Sequence, residues 1–530
     1  MRIGTSLSIG LVGLKACPIA IQSFISPGLP YFSIIGLPDT SVSEARERVK
    51  SACTSVGFSW PETRITVNLS PASLPKKGSS YDLAIALSIL SAGSFIPQDA
   101  VEDELAIGEL NLDGSVLQVN GVLPMILQAK ARGIRKVFVP RPNSEEASIV
   151  PDIEVTGIEH LGELVDLRGG KAVYRIQNHP KVIPFGSQAA IEGEGRHADI
   201  ATATNVMAEN RSLEYTKLDM SQVIGQEQAK WALTVAAAGG HHMIMTGPPG
   251  SGKSMLASRL PTILPPLSED EQLEVASIRS LCGTLHRHGI SDIPPFVAPH
   301  HTASTASLVG GGTGVAMPGS ITRAHRGVLF MDEAPEFSPR TLQTLREPLE
   351  SGYIALSRAR GTAYFPARFQ LIMAANPCPC GFDFGTGERC TCSAKERVRY
   401  WNRLSGPIMD RIDIQSQIRE VCEMIELPSS TVSSSERIRK VVSKERDCAR
   451  ERFRAYGWRC NAQASGEWLR ANTSKQVLAV VNTVLGSGGL SMRGADRSIR
   501  LCWTLADMNG HSSPTMSDIE SSIQLRTRLS

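Results

Sequence analysis

Apolar positions change their rhythm from block to block along the chain, and the changes mark out its organisation. Over residues 1–168 short apolar runs alternate with helical-period segments, which predicts an α/β unit. The opening MRIGTSLSIGLVGLKA, its apolar run broken by glycines, reads as a first strand and turn. In SVSEARERVKSACTSVG, Val42, Ala45, Val49, Ala52 and Val56 recur at helical spacing. Ser41 and Glu44 form a capping-box pattern there, and Gly57 stops the helix. Strands are predicted at 65–69 and 136–140, and helices at 83–90 and around 124–131. Periodicity dissolves over 169–215 into Gly, Ala and polar residues, which predicts a linker. Residues 216–425 again alternate apolar strands with helices. The remainder, 426–530, turns helical: Ile438, Val441, Val442, Ala449 and Phe453 fall near one face, and further helices are expected at 476–484 and 495–507.

Composition adds boundaries rather than a function. A chain of 530 residues holds about three domains at about 150 residues each. With 42% hydrophobic and 20% charged residues it can bury sizeable cores, which argues against global disorder. A formal charge of +3 is nearly neutral at this length, so any surface for nucleic acid must be local. One such excess lies at 436–459, where Arg and Lys outnumber the acids. It fits either a nucleic-acid or subunit contact or a solvated helix face. No apolar run reaches the ~18 residues of a membrane span, and the N-terminus lacks a signal-peptide pattern. The 11 cysteines are odd in number and mostly scattered, which fits a reducing, cytoplasmic compartment.

The chemistry is concentrated in two segments. MIMTGPPGSGKSML reads as strand, glycine-rich loop and helix start, and Gly247, Gly252, Lys253 and Ser254 fit G-x-x-x-x-G-K-[ST]. Backbone N–H groups from Gly247, Pro248, Pro249, Gly250, Ser251 and Gly252 onward (the prolines shaping the loop without donating) are expected to cradle phosphates. Lys253 would meet the β and γ oxygens and Ser254 would hold Mg²⁺. GVLFMDEAPEF is an apolar strand ending in two acids: Asp332 completes the Mg²⁺ shell and Glu333 polarises the attacking water. ATP hydrolysis is the expected activity.

Further segments share a family's wording. SQVIGQEQAKWAL stands just before the phosphate loop, FQLIMAANPCPCG ends a strand at Asn376, LSGPIMDRID carries Arg411, and LSMRGADRSIRLCWTLADMNG opens a helix with Arg493. Together with FVAPHHTAS, LVGGGTGVAMPGSITRAHRGVLFMDE, LREPLESG and SRARGTAYFPARFQLI, they resemble the ComM/YifB family of magnesium-chelatase-like AAA+ ATPases, over essentially the whole chain outside the linker. The resemblance implies a P-loop AAA+ core at 216–425 with a helical lid at 426–530. It makes Asn376 a sensor that orients water, Arg411 an arginine finger aimed at the neighbouring subunit's ATP, and Arg493 a lid arginine on the nucleotide. Bland readings stay open: Arg411 can pair with Asp410 or Asp413, Asn376 can be a strand-end turn, and Arg493 can cap its helix. The resemblance also implies a ring, a hexamer of this chain, driving branch migration of DNA as a helicase during natural transformation; a protein-remodelling or chelatase-type ATPase is the alternative. HHTASTASLVGGGTGVAMPG (300–319) resembles a helix-two insertion and 355–369 a pre-sensor hairpin. Arg358, Arg360, His300 and His301 are then candidates for gripping a phosphate backbone, or ordinary surface charges.

Two motifs remain. CPCGFDFGTGERCTC spaces Cys378, Cys380, Cys390 and Cys392 as C-x-C-x₉-C-x-C, which suits either a structural Zn²⁺ or four free thiols; four protein ligands would leave no open position for catalysis. LPKKGSSYDL raises Ser79 or Ser80 as a nucleophile. Residues 1–168 resemble the proteolytic domain of Lon, and on that pattern Ser80 takes the nucleophile position while Pro124 takes that of the lysine base. Proline accepts no proton, so this domain is expected to be non-catalytic.

Overall fold

The computed structural model describes residues 2–36, 40–71, 79–97, 104–176, 218–311, 316–358, 361–385, 387–404, 406–419 and 434–527. The N-terminal α/β pattern folds into a seven-stranded mixed sheet. Its order is Tyr31–Ile35, Arg64–Ser70, Lys15–Ser26, Arg2–Val12, Glu104–Ala106, Lys136–Pro140, Glu154–Ile158. Arg2–Val12 and Lys15–Ser26 form a long antiparallel hairpin across Gly13, whose φ of 66° suits glycine. Helix Asp82–Ala92 is buried along its whole length, which explains why its sequence is apolar on every side. Its one charged residue opens it: the Asp82 carboxylate is held by Arg48 Nε at 2.7 Å, and burial lifts its pKa to about 7. Residues 169–176, read as linker from sequence, run against this unit: Val173 N donates to Val56 O at 3.0 Å and Tyr174 stacks on His160. The rest of the expected linker lies outside the described residues.

The second sheet is five-stranded and parallel throughout, ordered Phe296–Val297, Val328–Met331, Gln370–Ala375, Met243–Thr246, Ile414–Gln417. Strands buried on both faces must be continuously apolar, as MIMT, VLFM and the near-apolar QLIMAA are. Thr246 pairs with Ala375 and Met331 with Met373, so these strands end along one edge. Loops leaving the carboxyl ends of parallel strands line a natural binding crevice.

The C-terminal helices are Ser435–Arg452, Gly466–Asn472, Lys475–Gly486, Met492–Met508 and Met516–Thr527. Ser435–Arg452 buries Ile438, Val442 and Ala449, but Val441, expected on that face, is 43% exposed. The helix also ends before Phe453, which is buried beyond it. No helix among the described residues is long and apolar enough to cross a membrane.

A buried ionic node ties these helices to the sheet. The Asp413 carboxylate accepts from Arg497 Nη1 at 2.7 Å and from the His242 backbone N–H at 3.2 Å, and faces His241 Nδ1 at 3.2 Å. Burial opposes its charge, but Arg497 and the histidines outweigh that and hold its pKa well below the ordinary 3.8. Asp413→Ala leaves Arg497 without its buried partner and is expected to destabilise the fold by about 3–5 kcal/mol, read as a lowered melting temperature. A depressed carboxyl pKa stabilises above the unfolded value; the wild-type advantage is therefore full above pH 3.8 and narrows as pH falls below it.

The two α/β units share a core. Helix Glu269–Leu281 of the second unit lies on helix Val122–Ala131 of the first. Gly121 N donates to Ser280 O at 3.1 Å, Leu123 N donates to Ser280 Oγ at 3.3 Å, and Ser280 Oγ also bonds Glu146. The hairpin of Tyr353–Arg358 and Gly361–Pro366 packs Phe365 and Ala363 with Leu281 against Leu11, Val12 and Leu14.

Candidate nucleotide-binding site

The glycine-rich loop leaves the central strand Met243–Thr246 and enters helix Lys253–Ile263. Gly250 and Gly252 have φ of 78° and 88°, the left-handed region where a side chain is strained. Gly247 is needed for closeness: a Cβ there would stand 2.4 Å from Ile418 O. The loop curls round the Lys253 ammonium, which donates to Gly247 O at 2.7 Å, Pro248 O at 2.8 Å and Asn376 Oδ1 at 3.2 Å. Burial lowers the Lys253 pKa below its ordinary 10.5, and the Asp332 and Glu333 carboxylates oppose that shift. Gln226, from the segment before the loop, donates to Ser251 O at 3.2 Å and Arg419 O at 2.5 Å, bracketing the loop from outside.

Ser254 Oγ lies 2.7 Å from Asp332 Oδ2, across from the loop. A hydroxyl and a carboxylate converging from two elements are hard oxygen donors and fit Mg²⁺. Glu333 follows with φ 49° and ψ 45°, and its N–H donates to Asp332 Oδ1 at 3.0 Å. That left-handed turn carries its half-exposed carboxylate clear of the strand. The structure thus brings Lys253, Ser254, Asp332, Glu333 and Asn376 to one crevice.

Other expected residues fall elsewhere. His301, expected at a phosphate-gripping rim, instead places Nδ1 3.3 Å from Glu333 Oε2, while the exposed His300 bonds Thr302. Arg411 is 5% exposed and donates within its own chain to Pro407 O and to Glu350. Arg493, exposed, stands 3.9 Å from the same Glu350 carboxylate. Asp410 and Asp413 are not partners of Arg411: Asp413 is taken by Arg497, and Asp410 accepts from Ser491 Oγ at 3.3 Å. Glu350 and the His301 contact have no local sequence signature. Arg360 lies outside the described residues, as does the side chain of Arg358. Of the insertion, residues 312–315 lie outside the described residues, and Gly310–Gly311 pairs with Met317–Pro318 at its base.

The sulfurs of Cys378, Cys380, Cys390 and Cys392 all lie within 4.8 Å of one another. In the N-terminal unit, Ser79 Oγ bonds Glu109 and the Ser80 carbonyl accepts from Gly108 N at 3.0 Å, so the described part of LPKKGSSYDL is a turn pinned to residues 108–109 that leads into helix Asp82–Ala92. Pro124 is buried inside helix Val122–Ala131.

Comparison with known proteins extends this picture. Residues 219–425 match the family described as magnesium chelatase, subunit ChlI; residues 21–143 match subunit ChlI of Mg-chelatase; residues 432–526 match the C-terminal part of subunit ChlI. The chain is 42% identical over 529 residues to an uncharacterized protein of Mycobacterium tuberculosis, covering 99% of each. It is 37% identical over 512 residues to the competence protein ComM of Haemophilus influenzae, covering 96% of this chain and 94% of that one. A shorter likeness, 29% over 159 residues, links 28% of the chain to 20% of the Lon protease of Rhizobium meliloti.

Proposed function

Because the chain belongs to the ComM/YifB family of magnesium-chelatase-like AAA+ ATPases, we propose that it is an ATP-driven ring motor, a hexamer that works on DNA in the cytoplasm as a branch-migration helicase. The observation that carries the ATPase reading is the meeting of Lys253, Ser254, Asp332, Glu333 and Asn376 at the ends of three adjacent parallel strands. For DNA, the support is likeness over nearly the whole chain to a protein named for competence.

Each residue then has a task. The Lys253 ammonium, already stripped of water, exchanges the Gly247 and Pro248 carbonyls for β- and γ-phosphate oxygens. Ser254 and Asp332 hold Mg²⁺, which neutralises phosphate charge when bound. Asn376 fixes one side of the attacking water and Glu333 takes its proton. The water oxygen bonds to the γ-phosphorus while the bond to the β-phosphate bridging oxygen breaks. Arg411 serves the adjacent subunit's nucleotide, and Arg493 closes the helical lid over its own. The N-terminal unit guides or assembles and performs no peptidase chemistry.

The test is ATP turnover by the purified chain with and without branched DNA, followed by strand displacement. DNA is expected to raise turnover several-fold and strands to separate. ATP turnover that ignores DNA, with no displacement, overturns the DNA reading and favours a chelatase-type ATPase acting with partner subunits, which the family matches also support.

A further inference from the structure

Among its described residues the loop that follows Asn376 has no helix or strand of its own between Ala375 and Ala394, yet it gathers four sulfurs. Cys378 and Cys380 are 3.3 Å apart, and Cys390 stands 3.7 Å from each. A tetrahedron with zinc–sulfur bonds of about 2.3 Å has sulfur–sulfur edges of about 3.8 Å. A disulfide would bring a pair to about 2.0 Å, and none of these four is in one. Three of the sulfurs therefore stand near the edge lengths of a coordination tetrahedron, and Cys392 Sγ lies within 4.8 Å of each of them.

The surroundings agree. Cys380 N donates to Cys392 Sγ at 3.4 Å, the kind of amide contact that stabilises a metal-bound thiolate. Arg397 reaches Asp383 at 2.8 Å and also faces Cys390, a cation beside what becomes a doubly negative centre once four thiolates bind one Zn²⁺. Gly385 and Gly387, at φ 63° and 68°, turn the chain so that the second pair returns to the first.

This cluster touches the phosphate loop. At Gly381, φ 84°, an added Cβ would lie 2.6 Å from Cγ of Pro249, so the knuckle's backbone rests directly on the phosphate-loop proline. Two residues before Cys378, Asn376 accepts the Lys253 ammonium, and Pro377 O between them is held by Trp401 Nε1 at 3.0 Å. We propose that Cys378, Cys380, Cys390 and Cys392 bind one structural Zn²⁺ whose knuckle braces the phosphate loop through Gly381 and Pro249, so that metal occupancy sets nucleotide affinity. The bracing half rests on the ATPase reading; the metal half does not.

The full-length chain is analysed for metal by mass spectrometry and, after exchange, for cobalt absorption. One zinc per chain is expected, and cobalt should give the spectrum of a tetrahedral tetrathiolate. Cys378→Ser with Cys390→Ser is expected to lose the metal. Because that variant could misfold, two arms bear on the brace separately: reversible removal of zinc by chelator, and Gly381→Ala, which keeps all four ligands but crowds Pro249. Each is expected to weaken binding of a fluorescent ATP analogue about tenfold, the scale of losing one hydrogen bond to a charged phosphate. No zinc and no tetrahedral cobalt spectrum overturns the site. Zinc present with affinity unmoved in both arms overturns the brace. If the chain binds zinc but no nucleotide, the ATPase reading and the brace fall together and the metal site stands.

Discussion

Glu333→Gln is expected to bind ATP within a few-fold of the parent and to hydrolyse it about 10²–10⁴-fold more slowly, the range lost when a positioned general base is removed. The substitution is clean because shape and backbone are kept. The residue sits at φ 49° and donates its N–H to Asp332, and both features survive in glutamine. What disappears is the proton acceptor, together with the charge facing His301 across 3.3 Å. Lys253, Ser254 and Asp332 remain to hold the nucleotide. Equilibrium binding of ATP and single-turnover hydrolysis measure the two halves separately. Brisk hydrolysis by this variant would refute the role given to Glu333.

Arg411→Ala carries the second large expectation: a loss of turnover of about 10³-fold or more, as for arginine fingers in related phosphoryl transfer. Within one chain Arg411 is buried and neutralised by Glu350, which it shares with Arg493, so the substitution by itself does not distinguish a finger from an anchor. Mixing does. Arg411→Ala subunits keep an intact hydrolytic site, and Glu333→Gln subunits keep an intact Arg411. If Arg411 acts across the ring interface, two inactive preparations regain turnover when combined into mixed rings. Mixed rings without recovery would place Arg411 in its own chain's fold. Stability should fall modestly through the lost packing of a buried side chain, while the Glu350 left behind is more than half exposed and solvated.

How much of this is legible in the sequence follows from how the information is stored. The phosphate loop is contiguous, and Gly250 and Gly252 are set by the local backbone turn, so its motif is complete in sequence, although the closeness that Gly247 needs comes from Ile418, far along the chain. Asp332 and Asn376 are legible because each follows a continuous apolar strand, and parallel register alone brings those ends together. Glu350 is not legible: it meets Arg411 across 61 residues and Arg493 across many more, and nothing local marks it. His301 follows the same rule, since its approach to Glu333 depends on where the loop after Phe296–Val297 lands. The helical wheel overreached at Val441, because the buried face of Ser435–Arg452 is narrower than the apolar one. At 355–369 the family resemblance supplies a hairpin, but only tertiary packing decides that Phe365 faces Leu11 instead of solvent.

That shared packing has a consequence for inheritance. Leu11, Leu14, Leu281 and Phe365 come from two units that the chain writes far apart, yet they fill one apolar space. Ser280 stitches the same seam by bonding Glu146 and accepting from Leu123. A drift in side-chain volume on the first β-turn is thus felt by the hairpin that precedes Asn376, and must be answered there. The two units are bound to vary as correlated partners, and grafting either onto a foreign counterpart requires carrying the matching half of the seam with it.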